Sequence, residues 1–167
     1  LKIKPPRCFA RSLLDAKEGD LLALLSETFM KTRITWLEDM TYVAQSPSGH
    51  ALVIDGPPEL GGHNLGPRPM EMLLMGMGGC TAIDVVNILR KARQTLRGCE
   101  VQLEAERADN DPKVFTQIHV HFILTGQNLS AKHVERAIQL SAEKYCSASI
   151  MLGKTAQITH TFEIRAA

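Results

Sequence analysis

The sequence predicts one α+β domain in which sheets wrap a long central helix, with the element order β-β-β-α-β-β-α-α-β. Short runs that alternate polar and apolar residues lie on both sides of one strongly apolar segment with helical character. A chain of 167 residues, 44% of them hydrophobic, is long enough to bury a core. The net charge of +1 argues against a general nucleic-acid binder, which needs a basic surplus to neutralise phosphates.

Residues 1–29 differ in pattern from the rest of the chain. Pro5 and Pro6 precede a leucine-rich helical pattern, and Met30 opens a stretch that looks like the start of a domain. We therefore expect 1–29 to be an N-terminal extension, either an upstream or non-native segment or a docking helix, and 30–167 to be the domain. We expect no secretory signal and no membrane association, because the apolar stretch 72–83 stops at Asp84 and is too short for a bilayer.

Strands are predicted in two groups. Residues 32–36, 41–45 and 51–55 are β-rich runs separated by turn residues, which predicts a three-stranded meander, and the Pro- and Gly-rich stretch 56–69 predicts a loop. Alternation over 100–107, 114–124 and 157–165 predicts three further strands. Between the last two, Ser130 suits the N-cap of a helix running to about residue 145, and a short helix from Ser147 should end at Gly153.

The central segment predicts a helix from Pro69 to about Arg93. Its apolar residues lie nearly all round, which is typical of a helix buried on every side. Gly76, Gly78 and Gly79 lie inside it at a cost of about 1 kcal/mol each, and such glycines indicate the close approach of a ligand or another backbone. One small domain cannot easily surround this helix, so we expect a dimer to bury it jointly.

Two cysteines are the strongest candidates for chemistry. Cys80 lies midway along the apolar helix with Asp84 one turn later, and Cys146 lies between two predicted helices. Each is either a small buried hydrophobe or a thiolate nucleophile, and together they could form a peroxidatic and resolving pair. Cys99, at a predicted strand entrance, is expected to be structural, and Cys8 is assigned no role. The four cysteines lack CxxC spacing, so no zinc site is indicated.

Two weaker patterns favour structural interpretations. His119 and His121 share one strand face, with His160 expected on a neighbouring strand, but a metal site needs a third ligand and supporting contacts. We therefore interpret these histidines as polar residues of an outer sheet face. Four methionines at helical spacing could instead line an adaptable apolar pocket, although core packing is the commoner role. These are Met70, Met72, Met75 and Met77.

Two segments carry a resemblance to a known family. The run PMEMLLMGMGGCTAIDVVNIL, followed by LSAEKYCSASIML, resembles the OsmC/Ohr family, and most nearly its YhfA-like branch. The resemblance covers residues 30–167. It implies an OsmC-like fold in cytoplasmic bacterial proteins that form intertwined homodimers, with two long central helices embraced by sheets from both chains.

The resemblance also implies an activity. The better-known branches are thiol-dependent peroxidases that reduce organic hydroperoxides in oxidative-stress defence, with pockets at the dimer interface. By this resemblance Cys80 is the peroxidatic cysteine and Cys146 the resolving one. The implied reductant is a dithiol, lipoyl groups included, and the implied reaction requires no metal and no organic cofactor.

This chain departs from the peroxidase pattern at two positions. The family's glutamate directly follows the proline that opens the central helix, whereas here Met70 follows and Glu71 comes one residue later. The family's arginine after the first-strand tryptophan is absent. Glu71 is thus the candidate third catalytic residue, with Arg68, Arg33 and Asp84 as candidate electrostatic support.

These observations leave two function hypotheses. The first is a cysteine-based organic hydroperoxide reductase that acts on a small organic hydroperoxide. The alternative, favoured by the missing arginine, is a non-peroxidase OsmC-like protein that binds a small apolar or electrophilic ligand at the dimer interface. A purely structural scaffold has no specific support in the sequence.

Overall fold

The computed structural model describes residues 30–167, so the predicted N-terminal extension lies outside the described residues. The described residues divide into two compact units at the boundary between Arg68 and Pro69, and each is described here by itself. The element order is three strands, a long helix, two strands, a helical segment made of two helices, and a last strand. This confirms the predicted α+β class and element order.

The first unit contains the predicted antiparallel meander. Strands β1 (Arg33–Glu38), β2 (Thr41–Gln45) and β3 (Ala51–Asp55) pair in that order. The stretch after β3 is a loop with one 3₁₀ turn at Pro58–Leu60, as its Pro and Gly content predicted.

Asp55 fixes this loop from within. Its carboxylate accepts backbone N–H bonds from Gly56 at 2.8 Å, His63 at 2.9 Å and Leu65 at 3.0 Å, and the Thr41 hydroxyl donates at 3.2 Å. The Leu65 N–H lowers the pKa of this carboxyl most, with desolvation opposing and the other donors adding to the effect. A buried acidic side chain therefore holds three separate points of the loop in place.

Asp55→Asn should lower the urea midpoint of unfolding at neutral pH, because its amide nitrogen replaces an acceptor with a donor that faces backbone donors. Since the folded-state pKa is depressed, the stabilisation is present above the unfolded pKa of about 4 and is lost as pH falls through the folded value. The urea midpoint of the variant should therefore fall less steeply than that of wild type between about pH 7 and pH 3. The matched control is Asp109→Asn at an exposed loop position. An Asp55→Asn midpoint equal to that of wild type at neutral pH would contradict this account.

The second unit packs one sheet against the long helix α1 (Pro69–Lys91). Strand β4 (Thr95–Arg107) pairs antiparallel with β5 (Phe115–Gln127), and β5 pairs parallel with β6 (Gln157–Ala166). Parallel neighbours need a long crossover. Helices α2 (Ala131–Leu140) and α3 (Ser147–Leu152), joined by a π-helical turn at Ser141–Tyr145, form this crossover and pack on α1.

The core of this unit lies between α1, α2 and the inner face of the sheet. Apolar side chains from all three are fully or almost fully buried and form one cluster. They include Met77, Val85 and Leu89 of α1, Val120, Phe122 and Leu124 of β5, and Val134 and Ala137 of α2.

The single chain buries α1 on one side only, so the expected burial of the other side by a dimer stays a prediction. One side packs on the core, but Met75 is 62% exposed and Ile83 64% exposed. The three glycines of α1 also differ in whether other atoms lie close to them. A Cβ on Gly78 would lie 2.7 Å from Leu103 Cδ1 of β4, whereas one on Gly76 or Gly79 would meet nothing within 4 Å. Among these three glycines of α1, only Gly78 is needed for close packing within the described part of the chain.

The two largest differences from the predicted boundaries are at the start of β4 and at the end of the helix that follows Ser130. Strand β4 begins at Thr95 rather than residue 100, because the ladder continues through a register shift between Leu96 and Gly98. Cys99 therefore lies inside the strand. The helix from the Ser130 N-cap ends at Leu140 and continues as the π turn, whereas α3 begins at Ser147 and is capped by Gly153 as predicted.

The 23-residue helix α1 extends beyond the apolar stretch 72–83, which was expected to be too short to cross a bilayer. Among the described residues it is the one helix long and apolar enough to cross a membrane. Core helices of soluble proteins have the same length and composition, so this property carries no further conclusion.

Candidate functional site

Helix α1 carries the first half of the candidate site. Cys80 lies in the middle of the helix and is half-buried. Asp84, four residues later, is on the same helical face because α-helical residues four apart are neighbours. At about 100° per residue, both residues lie at the border between the side that packs on the core and the exposed side.

The crossover carries the second half. Cys146 is fully buried at the junction of the π turn and α3, where it is the N-cap residue of α3. Its sulfur accepts hydrogen bonds from the Ser149 N–H at 3.4 Å and the Ser149 hydroxyl at 3.1 Å. Its own N–H donates to the Ser141 carbonyl at 2.8 Å, which closes the π turn. The backbone and Ser149 together fix the position of this sulfur.

Ser141 joins the two halves. Its hydroxyl donates to Asp84 Oδ2 at 3.1 Å and lies 2.9 Å from Thr81 Oγ1. Because a serine hydroxyl has one proton, donation to Asp84 makes Thr81 the donor to Ser141. Ser141 and Thr81 are both buried. This hydrogen-bonded chain holds the π turn against α1 and so brings Cys146 to Cys80.

The reactive atoms converge as a result. The sulfurs of Cys80 and Cys146 and a carboxylate oxygen of Asp84 all lie within 4.8 Å of one another. A disulfide requires the two sulfurs to approach to about 2.05 Å. The structure thus brings together three residues that the sequence analysis named.

The surroundings of Cys80 favour its neutral thiol. Burial raises the pKa of Cys80 most, and the hydrogen bond with Cys146 and the nearby charges of Cys146 and Asp84 raise it further. The backbone N–H of Ala148 acts in the opposite direction. At neutral pH the Cys80 thiolate is therefore a minor species, and its reactions should accelerate as pH rises through the alkaline range.

Asp84→Asn should increase the rate of Cys80 alkylation by iodoacetamide at pH 7. The amide oxygen still accepts from Ser141, but the negative charge is gone, so the pKa of Cys80 falls. One pKa unit changes the thiolate fraction by about tenfold, which sets the upper scale of the effect. Peptide mapping of alkylated Cys80 over a pH series measures it, with Glu135→Gln on the exposed side of α2 as the control. An unchanged or slower rate in Asp84→Asn would overturn the electrostatic account.

The other predicted site residues lie elsewhere. Glu71 is in the first turn of α1, nine residues before Cys80 and therefore ~13 Å away along the helix axis. Arg33 is in β1 and Arg68 is at the end of the first unit, so neither belongs to the unit that carries the two cysteines. Within the second unit, Asp84 is thus the predicted support residue that lies with the two cysteines.

The sequence analysis did not identify Ser141, Thr81 or Ser149 as site residues. Thr81 directly follows Cys80, and both serines lie in the LSAEKYCSASIML run, so their positions next to the cysteines were the available signal. Their roles depend on contacts such as that between Ser141 and Asp84, which are 57 positions apart in the chain.

The histidines do not form a common site. His119 and His121 share the outer sheet face with Thr159 and Thr161, whose hydroxyls lie 2.8 to 2.9 Å from their ring nitrogens. This confirms their interpretation as outer-face polar residues. His160 pairs in register with Val120, lies on the opposite face and stacks on the Phe122 ring, so it is no third ligand.

The four methionines do not line one surface of a single chain. Met77 is fully buried in the core and Met70 packs against the same cluster, whereas Met75 is largely exposed. Successive residues of a helix point about 100° apart, so this spacing distributes the side chains over several faces.

Comparisons with known proteins identify the family of this chain. The model of the OsmC-like protein family matches residues 62–161. Protein YhfA of Escherichia coli strain K12 is 49% identical over 138 residues, which are 83% of this chain and 100% of YhfA. The chain belongs to the OsmC-like family. Its likeness to YhfA confirms the branch that the sequence resembled.

Solved structures extend the likeness at lower identity. A hypothetical protein from Aquifex aeolicus VF5 superposes with a TM-score of 0.73 at 25% identity, covering 83% of this chain and 98% of that one. An organic hydroperoxide resistance protein from Elizabethkingia anophelis superposes with a TM-score of 0.61 at 15% identity, covering 82% of this chain and 96% of that one. At 15% identity the second match establishes a shared OsmC-like fold and nothing about activity.

Proposed function

We propose that this OsmC-like protein is a cysteine-based redox protein that reduces organic hydroperoxides, with an external dithiol as reductant. The observation that carries the proposal is the convergence of the Cys80 and Cys146 sulfurs to within 4.8 Å, on two elements that Ser141 holds together. A pair of reduced thiols this close can pass two electrons to a peroxide and end as a disulfide.

The difference in accessibility between Cys80 and Cys146 supports different catalytic roles for the two thiols. Cys80 is half-buried at the border of the exposed side of α1, whereas Cys146 is completely buried and accepts two hydrogen bonds from Ser149. A substrate therefore reaches Cys80 first. Cys80 acts as the nucleophile and Cys146 as the resolving thiol.

The reaction proceeds in two balanced steps. The Cys80 thiolate attacks one peroxide oxygen, the S–O bond forms as the O–O bond breaks, and the leaving alkoxide takes a proton to become the alcohol. The Cys80 sulfenic acid is then attacked by Cys146, which forms the S–S bond and releases the hydroxyl group as water. A dithiol, such as dihydrolipoyl groups, reduces the disulfide and restores both thiols.

A homodimer completes the pocket in this proposal. The exposed side of α1 carries an apolar stripe at helical spacing, here called the open face, formed by the exposed Met75, Gly76, Gly79 and Ile83 together with the half-buried Met72. Two glycines without neighbours suit the close approach of another helix, and the same helix from a second copy is self-complementary. Cys80 lies at the edge of the open face, so a second copy there would form a wall of the substrate pocket.

Steady-state consumption of cumene hydroperoxide with dithiothreitol as reductant tests the proposed activity. We expect saturable turnover by the wild-type protein and by Cys99→Ser, whose thiol lies on β4 and outside the site. No turnover above the rate with dithiothreitol alone would reject the proposal and favour the alternative of ligand binding without chemistry.

A further inference from the structure

We propose that the reduced site also binds one thiophilic divalent cation of the Zn²⁺ type, held by Cys80, Asp84 and Cys146. Two sulfurs and a carboxylate oxygen from three side chains lie within 4.8 Å of one another. This site rests on the two cysteines of the proposed function but not on their reaction with peroxide.

The spacing of the three atoms suits a tetrahedral ion. Zn–S bonds of about 2.3 Å and Zn–O bonds of about 2.0–2.2 Å place ligand atoms roughly 3.5–3.8 Å apart in a tetrahedron. The present separations of up to 4.8 Å need a contraction of about 1 Å. Cys80 and Asp84 are both half-buried, and rotation of their side chains is the movement that the proposal assigns to this contraction.

The chemistry of the ligand atoms selects the class of ion. Two sulfurs favour a soft or borderline cation over Mg²⁺ or Ca²⁺, which prefer oxygen ligands. Binding converts both thiols to thiolates and releases two protons to solvent, with no change in oxidation state. Three protein ligands leave the fourth position to water, on the side where Cys80 borders the open face.

The contacts around the ligands are those of a supported metal site. Ser141 donates to Asp84 Oδ2 and so orients the carboxylate, while the Ser149 hydroxyl and N–H fix the Cys146 sulfur. Helix α1 places Cys80 and Asp84 on one face four residues apart. Two of the three ligands are therefore positioned by regular secondary structure and the third by a buried turn.

Zn²⁺ and Co²⁺ titrations of the reduced full chain test the proposal. We expect one Zn²⁺ per chain in competition with a chromophoric chelator, and a sulfur-to-cobalt charge-transfer absorption on Co²⁺ addition. Cys80→Ser and Cys146→Ser should each weaken Zn²⁺ binding by more than about 100-fold, above the loss from an outer contact. Asp84→Asn, which keeps the fold-stabilising contact with Ser141, should weaken it by at least about tenfold.

Cys99→Ser and Cys8→Ser are the matched controls and should bind as wild type does. Wild-type protein that binds no Zn²⁺, or binding that survives in both Cys80→Ser and Asp84→Asn, would overturn the proposal. The measurement contains no peroxide, so its failure leaves the proposed reductase untouched. Absence of peroxide turnover in the metal-free protein would likewise leave the metal site untouched.

Discussion

Cys80→Ser should lower the rate at which cumene hydroperoxide oxidises the protein by at least about a thousand-fold, to the level of the uncatalysed reaction. A serine hydroxyl is not ionised at neutral pH and cannot form the S–O bond that breaks the peroxide. The buried Cys146 sulfur cannot substitute because it is fully enclosed. Intact-mass analysis of reduced protein after one equivalent of peroxide measures this effect directly.

Cys146→Ser should behave differently from Cys80→Ser under the same conditions. The first step remains, so the protein gains one oxygen atom at Cys80 and stops at the sulfenic acid, which dimedone traps. Cys99→Ser is the control and should lose two hydrogen atoms as wild type does. Equal oxidation of the Cys80→Ser and wild-type proteins would contradict the assignment of Cys80 as nucleophile.

Ile83→Asp should convert the proposed dimer into monomers at micromolar concentration. Ile83 lies on the open face and is 64% exposed in the single chain, so its burial depends on a second copy. A two-fold interface would contain two uncompensated carboxylates, and burial of unpaired charge should weaken association by at least about 100-fold. Analytical ultracentrifugation over a concentration series measures the dissociation constant.

Two controls separate this effect from a general loss of stability. Val114→Asp places the same charge on an exposed apolar residue of the β4–β5 connection and should leave the dimer intact. Gly79→Ala should have opposite effects on the stability of a monomer and on the association of a dimer. In a monomer it should stabilise the helix by about 0.5–1 kcal/mol, whereas in a dimer with close helix contact it should weaken association. A monomeric wild type would contradict the proposed assembly.

The local elements were predictable because each pattern reflects a local cause. β-rich composition between turn residues placed the strands at 41–45 and 51–55 at their observed bounds, because strand and turn preferences both act locally. Pro69 and the Ser130 N-cap marked two helix starts for steric and hydrogen-bonding reasons that act over one turn. Cys80, Asp84 and Cys146 were also named from the sequence, and the structure places them together.

The remaining features depend on contacts between distant parts of the chain. The π turn at Ser141–Tyr145 has no periodic signature, and the Ser141 contact with Asp84 exists only after the crossover has packed on α1. Alternation within β6 puts His160 on the face of Ile158 and Phe162, and only the register with Val120 shows that this face lies toward the core.

Peptide mapping after a single equivalent of cumene hydroperoxide, with free thiols blocked at the end, tests the central claim most directly. The account predicts one cross-linked species that joins the peptides of Cys80 and Cys146 and disappears on treatment with dithiothreitol. Cys99 should be recovered as a free thiol in the same digest. Recovery of both Cys80 and Cys146 as free thiols, or their oxidation only in separate peptides, would contradict the proposed dithiol mechanism.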